Sequence, residues 1–262
     1  MDPTLSDIEN IARDAGSILK SGFRHNLQID HKGVIDLVTE MDHKSESFLI
    51  QKIRDKFPTH QVITEESGVI SGDEDQTWNI DPLDGTVNYA HGIPIFSVSI
   101  AYMEKGQVVL AGIFDPMQDE FFSAERGRGA WLENDPINVS SEKTLDQSLL
   151  VTGFPYDIRT NPENNLNHYA SLTLRSRGVR RLGSAAIDLA YIASGRFDGF
   201  WEVRIHPWDI AAGSLIVEEA GGKVTDIRGG PDFLNQTPSI LATNGKIHQE
   251  MLSILNHIDF AD

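Results

Sequence analysis

The chain has 262 residues, 40% of them hydrophobic and 23% charged, which suits one large core or two packed ones and excludes a disordered or fibrous protein. Its formal net charge of −17 opposes binding to nucleic acid or anionic membranes, and the absence of cysteine excludes disulfides, a thiol nucleophile and cysteine-based zinc or iron–sulfur centres. No apolar run approaches the roughly 20 residues that span a bilayer, and Met1-Asp2-Pro3-Thr4 lacks the basic-then-apolar pattern of a secretion signal, so a cytoplasmic protein is expected.

From the start of the chain, Leu5, Ile8, Ile11, Ala12, Ala15, Ile18 and Leu19 recur at helical spacing and predict a helix over 4–24. Phe48, Leu49, Ile53 and Phe57 predict a second over 42–57, ending before Pro58. Short strands follow at 61–64 and 78–80. Segments 95–103 and 107–114 read as a hairpin turning at Glu104-Lys105-Gly106, and 121–124 with 127–132 extend that sheet. Beyond about residue 140 strands and helices alternate. A strand is predicted at 149–152, a helix over 164–177, a strand at 179–182, a helix over 184–194 and a strand at 197–202. A helix over 210–220 stops at Gly221-Gly222, strands follow at 223–226 and 239–243, and a helix runs to 256. The expectation is a mixed α/β fold in two parts, 1–140 with helices and an antiparallel sheet, and 141–262 of α/β type. The polar 155–167 stretch has the composition of a mobile loop.

Four acidic segments stand out, each with two readings. Asp81-Pro82-Leu83-Asp84-Gly85-Thr86 follows an apolar strand. It reads as a turn, or as two carboxylates and a free Leu83 carbonyl facing one space, with Gly85 and Thr86 amides available to a phosphate. Thr64-Glu65-Glu66-Ser67-Gly68 reads as a solvated loop or a ligand-bearing turn. Asp209 reads as a helix cap or a ligand, and Asp42 in Asp36-Leu37-Val38-Thr39-Glu40-Met41-Asp42 reads as a cap or salt-bridge partner, or as part of the acidic set. Crowded carboxylates repel by roughly 4 kcal/mol per pair at about 4 Å. Divalent cations reverse that sign, and hard cations such as Mg²⁺ take oxygen ligands. They would also reconcile an acidic protein with an anionic substrate.

At these residues the chain resembles the inositol monophosphatase family, within the wider lithium-sensitive phosphatase group. The resemblance rests on Ile63-Thr64-Glu65-Glu66-Ser67, on Trp78-Asn79-Ile80-Asp81-Pro82-Leu83-Asp84-Gly85-Thr86-Val87-Asn88, and on His206-Pro207-Trp208-Asp209-Ile210-Ala211-Ala212-Gly213 leading into Glu218-Glu219-Ala220-Gly221-Gly222. Gly183-Ser184-Ala185-Ala186 and Gly195-Arg196-Phe197-Asp198-Gly199 also match. The nearest branch is the bacterial one that includes extragenic suppressor proteins. The resemblance implies a layered αβαβα sandwich, a homodimer, and Mg²⁺-dependent hydrolysis of a small phosphate monoester such as inositol 1-phosphate.

It further implies Glu65, Asp81 and the Leu83 carbonyl as ligands of one Mg²⁺, and Asp81, Asp84 and Asp209 as ligands of a second. A weaker third ion would involve Glu65, with Mn²⁺ as a substitute for Mg²⁺. Asp42 and Thr86 match the pair that positions the attacking water, with Glu65 beside them, and Gly85 and Thr86 would meet the phosphate. Glu202 matches a residue that bonds substrate hydroxyls. Gly183, Ser184 and Ala185, with Asp84 and Asp209, would border the sugar ring. The expected chemistry is in-line attack of water between ions about 3.5–4 Å apart. Arg204, two residues beyond Glu202, would share its strand face and contact a second phosphate or pair with Glu202. Arg180 and Arg181 read as anion contacts or an interface pair. Trp201 and Trp208 read as packing, and His206 as a structural hydrogen-bonder. Fructose 1,6-bisphosphate and histidinol phosphate are alternative substrates. A regulatory partner-binding protein and a non-hydrolysing sugar-phosphate binder are alternatives of other classes.

Overall fold

The computed structural model describes residues 2–25, 28–31, 37–234 and 238–257; Asp36 lies outside them. The chain opens with α1 (Leu5–Gly22), a short ribbon of β1 (Ile29–His31) and β2 (Leu37–Thr39), and α2 (Glu40–Lys56). It continues through β3 (His60–Thr64), β4 (Gly68–Ile70), β5 (Asp73–Asp84) and α3 (Thr86–Ala90) to β6 (Ser97–Glu104), β7 (Gln107–Asp115), β8 (Glu120–Glu125), β9 (Gly129–Leu132) and β10 (Asp135–Pro136). The second half holds β11 (Leu149–Thr152), α4 (Leu166–Thr173), β12 (Gly178–Arg180), α5 (Ala185–Ala193), β13 (Gly199–Val203), α6 (Pro207–Glu219), β14 (Lys223–Thr225), β15 (Ser239–Thr243) and α7 (His248–Asn256).

Among the described residues, an eight-stranded sheet runs in the order β10-β9-β8-β7-β6-β5-β3-β4, and a five-stranded sheet in the order β12-β11-β13-β15-β14. The predicted hairpin is present as β6–β7. The large sheet is antiparallel except where β3 runs parallel to β5. The small sheet is mixed, with β11 parallel to β12 and β13 and the rest antiparallel.

Strand alternation builds the layers. On β7, Leu110 and Phe114 join the apolar cluster under α1 and α2, while Ala111 and Ile113 join the cluster around α5 and α6. The pair α5–α6 therefore lies between the two sheets, and α4 and α7 cover the outer face of the small one. The result is the αβαβα sandwich expected. Burial on both faces explains why β13 is enclosed at every position.

Several boundaries differ from the sequence reading. The helix expected over 164–177 is only Leu166–Thr173, held at its start by Asn165 in left-handed backbone. The strand expected at 78–80 extends over Asp73–Asp84, so Asp81-Pro82-Leu83-Asp84 belongs to the sheet rather than to a turn after it. Among the described residues, no helix is long and apolar enough to cross a membrane.

Candidate active site

The end of β5, the turn after β3, the start of α6 and β13 enclose a cavity of about 360 Å³. Glu65, Asp81, Asp84, Glu202 and Asp209 line it, together with Leu83, Gly85, Thr86, Gly183, Ser184 and Ala185. The structure thus brings every site residue expected from sequence to one place except Asp42, which is fully buried beneath the wall.

Asp81 and Asp84 reach the same space because β5 is irregular. Asp81 pairs with Ser99 and Asp84 with Ser97, so three steps on β5 oppose two on β6. Residues three apart on a regular strand face opposite sides, and the extra residue restores Asp84 to the face of Asp81. The Asp81 Oδ1 accepts from the Leu83 amide at 3.0 Å, and Ser45 of α2 donates to the Pro82 carbonyl at 2.8 Å. Asp84 faces the N-terminus of α5. Its carboxylate accepts from the Ser184 hydroxyl and from the amides of Ala185 at 3.2 Å and Ala186 at 2.9 Å, where the helix dipole also favours negative charge.

Asp209 sits in the first turn of α6 rather than capping it. His206 is the cap, and Asp209 Oδ2 accepts from the His206 amide at 3.0 Å. The turn bearing Glu65 is fixed by Glu46 of α2. One Glu46 oxygen accepts from the Thr64 hydroxyl at 2.7 Å and from the amides of Glu66 and Ser67 at 3.0 Å, and the other from the Ser67 hydroxyl at 2.6 Å. Glu46 was not among the expected residues, although it lies one helical turn beyond Asp42. Thr86 Oγ1 lies 2.9 Å from Asp42 Oδ1 and 3.0 Å from the Leu83 carbonyl, and its single hydrogen bonds only one of the two at a time. The other Asp42 oxygen accepts from the Thr39 amide and hydroxyl at 2.8 and 2.6 Å.

Gly85 carries the backbone past the cavity at φ 101°, and a Cβ there would lie 3.0 Å from the Ile95 carbonyl. Asn88 holds the opposite wall, donating to the Leu182 and Ile95 carbonyls at 2.8 and 2.9 Å.

Arg204 follows β13 with its backbone left-handed at φ 57°; it pairs with Asp157 at 2.9 Å rather than with Glu202, and it lines the same cavity. Arg181 rather than Arg180 reaches the cavity, with its guanidinium over the Phe154 ring. Trp201 packs in the core and donates to Asn165 at 2.6 Å, and Trp208 stacks on His206.

Burial raises the Asp81 and Asp209 carboxyls well above the usual range, and repulsion from Glu65 and Asp84 adds to it. Burial also raises Asp84, against the hydrogen bonds from α5. Glu202 is pushed up to about 8, by burial first. The carboxyl-bearing part of this cavity therefore favours added positive charge, while Arg181 and Arg204 line another part of it. Among the described residues, no three acidic or imidazole side chains close on one point. The all-oxygen donor set still fits Mg²⁺, which takes one or two carboxylates and completes its shell with water and substrate phosphate.

Known proteins resemble this chain over nearly its full length. The inositol monophosphatase family model matches residues 1–259. The chain is 41% identical over 262 residues to the Nus factor SuhB of Pseudomonas aeruginosa, covering 97% of this chain and 96% of that protein. It is 46% identical over 230 residues to an inositol-1-monophosphatase of Synechocystis, covering 87% and 80%. The crystal structure of the extragenic suppressor protein suhB of Bartonella henselae superposes with a TM-score of 0.91 at 38% identity, covering 96% of this chain and 98% of that one. Sequence and fold thus agree over nearly the full length, and the chain belongs to the inositol monophosphatase family.

Proposed function

We propose that the protein is a Mg²⁺-dependent phosphatase that hydrolyses a small phosphate monoester, with inositol 1-phosphate the first substrate to test. The observation that carries this reading is the Asp42–Thr86 contact at the floor of a carboxylate-lined cavity. Glu65, Asp81, Asp84, Asp209 and the Leu83 carbonyl would hold about two or three Mg²⁺ ions, with Mn²⁺ as a substitute. Bound Mg²⁺ supplies the positive charge that offsets the phosphate and the developing alkoxide.

The chain's own residues do the positioning. Asp42 takes the Thr86 hydroxyl hydrogen, which leaves the Thr86 lone pairs to accept from a water. That water is aimed at phosphorus in line with the ester oxygen: a P–O bond forms to the water oxygen as the ester P–O bond breaks, and a proton from the water ends on the departing oxygen, which leaves as the alcohol. The backbone at Gly85 and Thr86 borders the phosphate. Glu202, Ala185 and the segment around Gly183 and Ser184 border the alcohol. Asp84 and Asp209 lie between the two. A homodimer, tested by sedimentation, is part of the same reading.

Phosphate release from a panel of esters, with Mg²⁺ varied and Li⁺ added, tests it. Mg²⁺-dependent release with inositol 1-phosphate among the best substrates is expected, with fructose 1,6-bisphosphate and histidinol phosphate as comparators. Release from no ester, or release unaffected by removal of Mg²⁺, overturns the reading. A second reading, a partner-binding role on the same fold, is favoured by the name Nus factor that the P. aeruginosa relative carries. Protein captured by the intact chain with and without Mg²⁺ tests it.

A further inference from the structure

Three polar side chains of α2, Asp42, Ser45 and Glu46, are buried on one helix face. Asp42 reaches Thr86, and Glu46 reaches the turn of Glu65. Ser45 is fully buried, and its hydroxyl donates to the Pro82 carbonyl at 2.8 Å. A serine inside a helix ordinarily bonds back to a carbonyl of the preceding turn, whereas this one bonds across to another element. Alanine at 45 would favour the helix more and would pack without a polar atom, so helix formation does not call for serine here.

The carbonyl that Ser45 meets lies outside the paired positions of the sheet. Pro82 and Leu83 come after Ile80, the last β5 residue matched to β3, and they fall inside the irregular step between Asp81–Ser99 and Asp84–Ser97 against β6. The Pro82–Leu83 peptide is fixed at both ends instead. Ser45 holds its carbonyl, and Asp81 Oδ1 accepts from its N–H at 3.0 Å. A peptide is planar, so its carbonyl and N–H turn together. Freeing the carbonyl therefore loosens the amide that holds the Asp81 side chain, and with it the Leu83 carbonyl one peptide further on. We propose that Ser45 is a positioning residue of the divalent-cation site: through the Pro82–Leu83 peptide its hydroxyl holds Asp81 and the Leu83 carbonyl in place for the cations, and it touches neither cation nor substrate. The inference rests on the metal-dependent reading above and deepens it.

The test is Mn²⁺ binding by the full chain, read from the spin-resonance signal of free Mn²⁺ with no substrate present. S45A removes the donor, and S45C keeps the volume with a weaker donor. S148A is the control: it removes a fully buried hydroxyl that donates to the Thr144 carbonyl at 2.7 Å, at a position that does not line the cavity. S45A is expected to raise the Mn²⁺ Kd roughly 10-fold and S45C roughly threefold, with S148A within about twofold of wild type. In steady-state kinetics S45A should raise the half-saturating Mg²⁺ concentration roughly 10-fold and leave kcat at saturating Mg²⁺ within about threefold. An S45A Kd within about twofold of wild type overturns the assignment. So does an S148A Kd raised as far as that of S45A, because loss of stability alone would then explain both. If S45A does not fold, S45C against S148A decides by the same comparison. Wild type that binds Mn²⁺ but releases phosphate from no ester refutes the phosphatase reading while the Kd ratios still decide the role of Ser45. Wild type that binds no Mn²⁺ overturns the metal reading and this assignment together.

Discussion

Thr86 Oγ1 stands 2.9 Å from Asp42 Oδ1, and this contact connects a fully buried acid of α2 to a hydroxyl on the cavity wall. Asp42 never touches the cavity, so its influence passes through Thr86. D42N and T86V should each lower kcat by roughly 10²–10³-fold. The double variant should be little worse than either single one, because the pair acts as a unit. Multiplying losses in the double variant would show that the two act separately.

On the proposed reading, magnesium and protons would compete for the same oxygens. Asp81 and Asp209 sit well above the ordinary carboxyl range, so the metal-free folded protein holds protons that the unfolded chain releases near pH 4. That stabilisation is complete below the unfolded pKa and is lost as pH rises through the raised folded values. Cations should replace it, so the rise in Tm from chelator to Mg²⁺ should be larger at about pH 8 than at about pH 5. Paired melts at the two pH values measure this, and an equal rise at both contradicts it.

Glu46 holds the turn of Glu65 with four hydrogen bonds from Thr64, Glu66 and Ser67. E46A should cost about 2–4 kcal/mol in urea unfolding, since charged acceptors are strong and their donors are partly buried. It should also raise the Mg²⁺ concentration for half-maximal activity, because Glu65 loses its anchor. An unchanged Mg²⁺ requirement alongside lower stability would confine Glu46 to a folding role.

A methyl group at Gly153 displaces the Glu202 carboxylate. The displaced atoms are the end of a flexible side chain, so G153A should fold with a Tm close to wild type. It should raise KM for inositol 1-phosphate roughly 10-fold and change kcat little. A fall in kcat at unchanged KM would place Glu202 closer to the reacting bond than this geometry does.

Much of this site is legible in the residues themselves. Asp81-Pro82-Leu83-Asp84, Glu65 and Asp209 are local motifs, and their meeting follows from strand ends and helix starts that sequence patterns mark well. What the pattern misses depends on contacts distant in sequence or on single backbone angles. Glu46 looks like one more polar position on an amphipathic helix, and only the turn folded above it gives it a task. Arg204 pairs with Asp157, a partner that strand alternation from Glu202 does not name. The start of α4 traces to Asn165, whose side chain joins Thr152 and Trp201 in the small sheet, and its end at Thr173 falls four residues short of the expected 177.

Asp84 ties the two halves of the chain together: besides Ser97, 13 positions on, its carboxylate is met by Ser184, Ala185 and Ala186, 100 positions or more later. During synthesis the first half therefore emerges with Ser97 alone of these four donors, and the α5 side of the cavity is added only when the second half follows.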